Sequence, residues 1–199
     1  MEPPGLIIDD LKKVLVPPAQ PTESGKDKNW AAVTNYFGRA LPGDYVSFVE
    51  DYGSGEVGGW LTVLNPFSEN RNLSLMAQFP QILSDVGTLK GMHPETCPYP
   101  ILFEPGGLLP WGTSIDGDIY CWLTDGVSGK WDVVVLGRHS EPQRFNLTMC
   151  HFIAQSISGD IQPYSMPGDW HGKRVDFVPY KALTKRSYRQ LFRRLNLWR

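Results

Sequence analysis

The sequence predicts an α+β domain: a mostly antiparallel sheet, running as a meander, with helices on its flanks. Two observations support this prediction. Apolar runs alternate with Asp-Gly pairs in the middle of the chain, and segments with helical apolar spacing lie on both sides of them. With 199 residues, of which 41% are hydrophobic, the chain has room for one well-packed domain with an additional segment, or at most two small domains.

The central stretch, 104–135, is predicted to form strands joined by tight turns. Its apolar runs are separated by Asp116-Gly117 and Asp125-Gly126. An Asp-Gly pair between apolar runs indicates a hairpin, because glycine adopts a positive φ freely and aspartate tolerates it. Three of the seven tryptophans lie here. Since aromatic side chains bury large areas, this stretch is predicted to form the centre of the core.

Helices are predicted wherever apolar residues recur at helical spacing, at 29–40, 44–52, 73–86, 147–157 and 181–197. Short strands are predicted around Val57 and at 60–64. The first 28 residues contain five prolines and are predicted to form an arm with at most one helical turn. The resulting division is a proline-rich arm at 1–28, an α+β domain at 29–161 and a basic C-terminal extension at 162–199.

The net charge of −2 conceals a strong asymmetry along the chain. Residues 1–172 contain 10 basic and 20 acidic residues, whereas residues 173–199 contain 9 basic and 1 acidic. The last predicted helix has an apolar stripe with most of its arginines off the stripe. Such a helix binds anionic membranes or nucleic acid, or else packs on an acidic body. We favour packing, because the same chain supplies the acidic body.

The sequence predicts a cytoplasmic protein. The three cysteines are an odd number, which is not typical of a secreted disulfide framework. The N-terminal MEPPGLIIDD has no basic residue before its short apolar run, unlike a signal peptide. No window approaches the roughly 20 apolar residues of a membrane span.

The sequence does not predict an enzyme, a metal site or a cofactor. Asp116-x-Asp118 is similar to the start of a calcium loop, but the later ligands and the closing glutamate are missing. The four histidines are scattered, without metal-ligand spacing. Neither a phosphate-binding glycine loop nor a G-x-S-x-G nucleophile motif is present.

Several motifs in a fixed order resemble the SUKH superfamily. They begin with Leu41-Pro42-x-Asp44-Tyr45-x-x-Phe48-x-x-x-Tyr52-Gly53 and continue with 107–112, Asp116-Gly117-Asp118, 122–126 and 131–135, and the helix after Phe145 is also in the expected place. The resemblance covers about residues 30–161. It implies an α+β fold and, for bacterial members, an immunity protein that binds and neutralises a cognate polymorphic toxin. Fungal members are linked to the control of cell-wall synthesis.

The candidate partner-binding residues are carboxylates near predicted turns, together with one tryptophan: Glu50, Asp51, Glu56, Trp60, Asp116, Asp118 and Asp125. If these turns meet at one edge of the sheet, they form an acidic rim that attracts a basic surface. The alternative for each single aspartate is that it stabilises the turn in which it lies and contacts no partner. Trp60, after Gly58-Gly59, is predicted to be partly exposed and to anchor a partner.

Together these features predict a toxin-binding protein that covers the active cleft of its target and makes or breaks no bond. A nuclease is a natural target, because its substrate groove must be positive to hold phosphates. Neither nucleic acid nor a membrane is the expected partner. The alternative is a regulatory scaffold that acts on an endogenous partner or a membrane surface through the basic C-terminal helix.

Overall fold

The computed structural model describes residues 4–92, 94, 97–100, 106–137 and 141–180. The predicted helix at 181–197 lies outside the described residues. Within these ranges the helices are α1 (Pro4–Val14), α2 (Trp30–Phe37), α3 (Gly43–Tyr52), α4 (Leu75–Met92) and α5 (Met149–Ser158). The strands are β1 (Gly55–Val57), β2 (Leu61–Val63), β3 (Leu108–Ser114), β4 (Ile119–Leu123), β5 (Asp132–Leu136), β6 (Gln143–Phe145) and β7 (Phe177–Pro179).

All seven strands form one antiparallel sheet in the order β6-β5-β4-β3-β2-β1-β7. Six strands follow one another as neighbours, and β7 adds to the β1 edge. The two Asp-Gly pairs lie in the turns on either side of β4, with φ of 92° at Gly117 and 68° at Gly126. The predicted α+β class and its meander are confirmed.

One face of the sheet packs against α3 and α5 and contains the aromatic core. Trp122 lies 5.0 Å from Tyr45 of α3, and Tyr120 lies 6.0 Å from Phe152 of α5, measured between ring centroids. A register shift between Pro110 and Gly112 marks a bulge in β3. The bulge residue, Trp111, packs on Tyr120, Trp122 and Phe152. We call this side of the sheet the helix face.

The prediction of an arm with at most one helical turn is wrong, because α1 has 11 residues. It packs against α3 and α5 with Leu11 and Leu15 fully buried, and Leu15 accepts a hydrogen bond from the Tyr52 hydroxyl. Pro4 is the first helical residue, a position that tolerates proline because its N–H would have no helical partner. Most of the remaining prolines follow the helix.

Strand β7 was not predicted, and it extends the sheet with residues far along the chain. Its Phe177 ring lies 6.0 Å from Phe48 and 5.2 Å from Tyr52. Both α1 and β7 fall outside 29–161, yet both contribute to the same hydrophobic core. In the described ranges, no helix combines the length and apolar character that crossing a bilayer requires.

Candidate functional site

The hairpin between β3 and β4 closes on Ser114 and Asp118. The Ser114 amide donates to the Asp118 carbonyl at 2.9 Å, and the Ser114 hydroxyl donates to the Asp118 carboxylate at 2.7 Å. The Asp118 amide donates back to the Ser114 hydroxyl at 3.0 Å. Asp118 is therefore buried and hydrogen-bonded within its own turn. Ile115 and Asp116 project from the tip of the hairpin, and Ile115 is 52% exposed.

The turn between β1 and β2 lies beside this hairpin. The Ile115 amide donates to the Trp60 carbonyl at 3.0 Å. Gly58 and Gly59 have φ of 62° and 63°, and the Trp60 amide donates to the Val57 carbonyl at 3.0 Å. Two consecutive positive φ angles are typical of the type I′ turns that connect twisted strands. The turn places Trp60 next to the exposed hairpin tip.

The indole of Trp60 joins the hairpin to a loop that follows α5. Its N–H donates to the Ser165 carbonyl at 2.8 Å, and the Tyr120 hydroxyl donates to the same carbonyl at 3.0 Å. Trp60 itself is partly exposed, as its position after two glycines predicts. We call Trp60, Ile115 and Asp116 the Trp60 surface.

The Trp60 surface is suited to binding a protein. Tryptophan is a common anchor of protein interfaces, and Ile115 adds apolar area beside Trp60 and Asp116. Sequence reasoning identified Trp60 and Asp116 but missed Ile115. An apolar residue inside a turn was a usable signal for Ile115.

Asp125 lies at the opposite end of the sheet from Asp116. The two Asp-Gly turns are the two ends of β4, and successive hairpins of a meander lie at opposite ends of their shared strand. The premise that the predicted carboxylates meet at one edge is therefore wrong. Of the predicted set, the structure brings together Trp60, Asp116 and Asp118.

Glu50 and Asp51 lie in the last turn of α3. The Asp51 carboxylate contacts the Lys12 ammonium at 2.8 Å and the Lys26 ammonium at 3.5 Å. Lys12 belongs to α1, so this carboxylate joins two helices and is already neutralised within the chain. Glu50 is partly buried, and its carbonyl accepts a hydrogen bond from the Ser24 hydroxyl at 2.6 Å.

Glu56 points away from the helix face. Its neighbours in β1, Gly55 and Val57, are buried, and successive strand residues point to opposite faces. The Glu56 carboxylate makes no hydrogen bond or ion pair with the part of the chain that the structure describes. Burial raises the pKa of Glu56, because desolvation disfavours its charged form. This carboxylate is distinct from the Trp60 surface.

A cavity of about 420 Å³ lies at the Asp125 end of the sheet. Its lining includes Leu123, Trp131, Asp132, Arg144, Thr148 and His151. The Arg144 guanidinium donates to the Asp132 carboxylate at 2.6 Å, and the Thr148 hydroxyl caps α5 by accepting from the His151 amide. These polar groups mainly satisfy one another. Sequence reasoning missed the pair because Asp132 and Arg144 meet only through the β5–β6 pairing.

The described residues contain no group of three or more histidines, cysteines or carboxylates arranged to hold a metal ion. Burial raises the pKa values of the Cys121 and Cys150 thiols, which keeps both in the protonated and weakly nucleophilic form. Tyr45 and Tyr52 are buried and hydrogen-bonded to backbone carbonyls. These groups have structural roles in the core.

Comparison with known proteins identifies one family. A family model described as SMI1-KNR4 cell-wall, SUKH_6, matches residues 27–148, which is more than half of the chain. No curated protein and no solved structure shows a significant match. The match confirms the SUKH resemblance that the Leu41–Gly53 motif and the hairpin motifs indicate. The chain therefore belongs to the SUKH_6 family of the SUKH superfamily.

Proposed function

We propose that the protein is an immunity-type binding module that neutralises a cognate toxin by covering its active cleft. SUKH domains have immunity and cell-wall regulatory roles. The observation that supports a toxin-binding surface here is the Trp60 surface, where an exposed isoleucine and a partly exposed tryptophan lie beside an exposed carboxylate. The two hairpin turns that carry Ile115 and Trp60 are joined by a backbone hydrogen bond.

The Trp60 surface is held in place before any partner arrives. Ile115 is fixed through its amide, and Trp60 is fixed through both its backbone and its indole. Binding such a surface requires little further ordering of side chains, so more of the gross interaction energy is retained as affinity. Buried aromatic and aliphatic anchors contribute most of the binding energy in protein interfaces.

The charge of the chain favours a basic target. Asp116 is exposed at the hairpin tip of the Trp60 surface and makes no ion pair within the described residues. Residues 1–172, with twice as many acidic as basic residues, supply a negative field around it. A nuclease has a positive groove that holds phosphates, and an acidic surface accelerates association with such a groove. Neutralisation follows from blocking that groove, without any covalent step.

The experiment is a capture of toxins from the native cells on tagged full-length protein, followed by an activity assay of the captured toxin with purified protein. The test variant carries Ile115→Ser and Asp116→Asn. The matched control carries Val127→Ser and Asp125→Asn in the other Asp-Gly hairpin, where Val127 is 60% exposed. Asp118 is left unchanged, because it closes its own turn. Both variants remove one exposed apolar side chain and one exposed charge.

The wild type and the control are expected to inhibit the captured toxin at equal concentrations. The test variant is expected to need about tenfold more protein, since loss of one anchor costs over 1 kcal/mol. Equal inhibition by all three proteins would contradict a role for the Trp60 surface. Capture of no toxin, together with loss of function on truncation before Lys181, would favour the regulatory scaffold instead.

A further inference from the structure

The segment between α5 and β7, residues 159–176, is packed onto the domain, and we call it the Ser165 loop. Its buried residues include Pro163, Ser165, Met166, Trp170 and Val175. The His171 ring donates a hydrogen bond from Nδ1 to the Ser158 carbonyl at 2.8 Å, which ties the loop to the end of α5. The loop lies beyond residues 27–148, the range of the family match.

One carbonyl of this loop, that of Ser165, accepts hydrogen bonds from two aromatic side chains. The Trp60 indole N–H donates to it at 2.8 Å, and the Tyr120 hydroxyl donates to it at 3.0 Å. A carbonyl oxygen has two lone pairs, so it can accept both bonds at once. Tyr120 is fully buried, whereas Trp60 is partly exposed. The buried hydroxyl therefore holds the carbonyl from the inside, and the carbonyl holds the indole.

The bond to Ser165 also decides what the Trp60 side chain can offer a partner. The indole Nε1–H is a donor only, and it is the one polar group of the ring. Because that N–H is already donated to Ser165, the indole presents only carbon atoms to a partner. Ile115 adds exposed apolar surface beside it, and Asp116 adds a carboxylate. The complementary surface is an apolar pocket bordered by a positive charge.

The Ser165 loop supports the turn that carries Trp60 as well. The Gly58 amide donates to the Asp176 carbonyl at 2.9 Å. The Trp170 ring lies against Gly58, where an added Cβ would be 2.7 Å from a ring carbon. The loop thus holds the backbone two residues before Trp60 and also the polar edge of its side chain. These attachments select one orientation, whereas a free side chain has about three staggered χ1 wells.

We propose that the Ser165 loop sets the partner specificity of the Trp60 surface by fixing the Trp60 indole as an apolar anchor, and that Tyr120 is the positioning residue that holds the Ser165 carbonyl. A fixed anchor fits a pocket of one shape, whereas a mobile anchor re-packs to suit several partners. Loosening the loop lowers the fraction of molecules in the binding orientation and weakens binding in proportion. The effect on binding rests on the proposed toxin-binding function, but the positioning of the indole does not.

The first test measures hydrogen exchange of the Trp60 indole N–H by NMR in the full-length protein, with the signal assigned from a Trp60→Phe spectrum. Tyr120→Phe removes only the hydroxyl and is expected to speed this exchange about fivefold, the factor that corresponds to one hydrogen bond of typical strength. Tyr45→Phe is the matched control and is expected to change nothing, because its buried hydroxyl donates to a different carbonyl, that of Leu64. An unchanged or slower rate in Tyr120→Phe, or equal increases in both variants, overturns the proposal.

The second test uses Trp170→Ala, which removes the ring against which the turn packs, and measures inhibition of a captured toxin at a temperature where all variants are folded. The protein concentration for half inhibition is expected to rise about threefold, because the freed indole divides among about three χ1 wells. Leu11→Ala, in α1, is the control for lost stability and is expected to leave this concentration unchanged. Equal concentrations for wild type and both variants overturn the role of the loop in binding. If the wild type captures no toxin, the toxin-binding function fails, and the exchange test still decides the positioning of Trp60.

Discussion

The carboxylate of Asp44, in the first turn of α3, accepts a hydrogen bond at 2.9 Å from the backbone N–H of Cys150, at the start of α5. The Cys150 thiol in turn donates to the Asp44 carbonyl at 3.5 Å. Asp44 is a residue of the motif that resembles the SUKH superfamily, and it is buried. The motif residue therefore joins two helices and does not face a partner.

Replacing Asp44 tests this link between the helices. Asp44→Ala leaves the Cys150 N–H buried without an acceptor, so we expect the free energy of unfolding to fall by about 2 kcal/mol. Asp44→Asn retains an acceptor oxygen and is expected to lose less than Asp44→Ala. Urea denaturation of both variants measures the difference. Equal losses would show that charge, and not the acceptor oxygen, is what α5 requires.

Helix α1 is predicted to be essential to the core. Leu11 is fully buried against α3 and α5, so Leu11→Ala is expected to lower the free energy of unfolding by about 3 kcal/mol. Val16 follows the same helix but is 67% exposed, and Val16→Ala is expected to change stability by less than about 0.5 kcal/mol. Thermal melting of the pair checks this. Equal and small effects would mean that α1 is not docked in solution.

Alanine substitutions at the two glycines of the β1–β2 turn are predicted to destabilise the fold to different extents. Both have a positive φ, so alanine at Gly59 is expected to cost about 1 kcal/mol. At Gly58 an added Cβ also lies 2.7 Å from the buried Trp170 ring, whereas at Gly59 nothing lies within 4 Å. Gly58→Ala is therefore expected to cost about 3 kcal/mol. Chemical denaturation of the two variants compares them directly, and a smaller loss at Gly58 would contradict the Trp170 contact.

Glu23 is predicted to contribute to stability above acidic pH. Burial acts to raise its pKa, but hydrogen bonds from Ser54, from Ser68 and from the Glu69 amide outweigh burial and lower the pKa below 4.5. A lowered folded-state pKa means that the unfolded chain binds more protons. The stability due to Glu23 is therefore present above pH 4.5 and is lost as the pH falls through the folded-state pKa.

Glu23→Gln is accordingly expected to lower the free energy of unfolding by about 1 kcal/mol at neutral pH, with the difference from wild type shrinking in acid. Unfolding by urea at a series of pH values measures this. Glu69→Gln is the control, because Glu69 is exposed and contributes to this cluster through its backbone amide. A constant difference across the series would indicate that packing, and not ionisation, makes Glu23 important.

Local chemistry determined the parts of the fold that the sequence predicts. The Asp-Gly turns on either side of β4 follow from the backbone freedom of glycine, and α2, α3 and α5 follow from apolar spacing. Helix α1 was not predicted in full because the prolines around it dominate its local signal. Strand β7 was missed because three residues form a strand there only through pairing with β1.

For the candidate site, the residue types could be read directly from the chain: Trp60 after a double glycine, and carboxylates in turns. Which of these residues lie close together depends on the fold. It placed Asp116 beside Trp60, moved Asp125 to the far end of β4, and paired Asp51 with Lys12 of α1. The physical reason is that turn formation depends on a few neighbouring residues, whereas proximity across a sheet depends on strand register and on helix docking between distant parts of the chain.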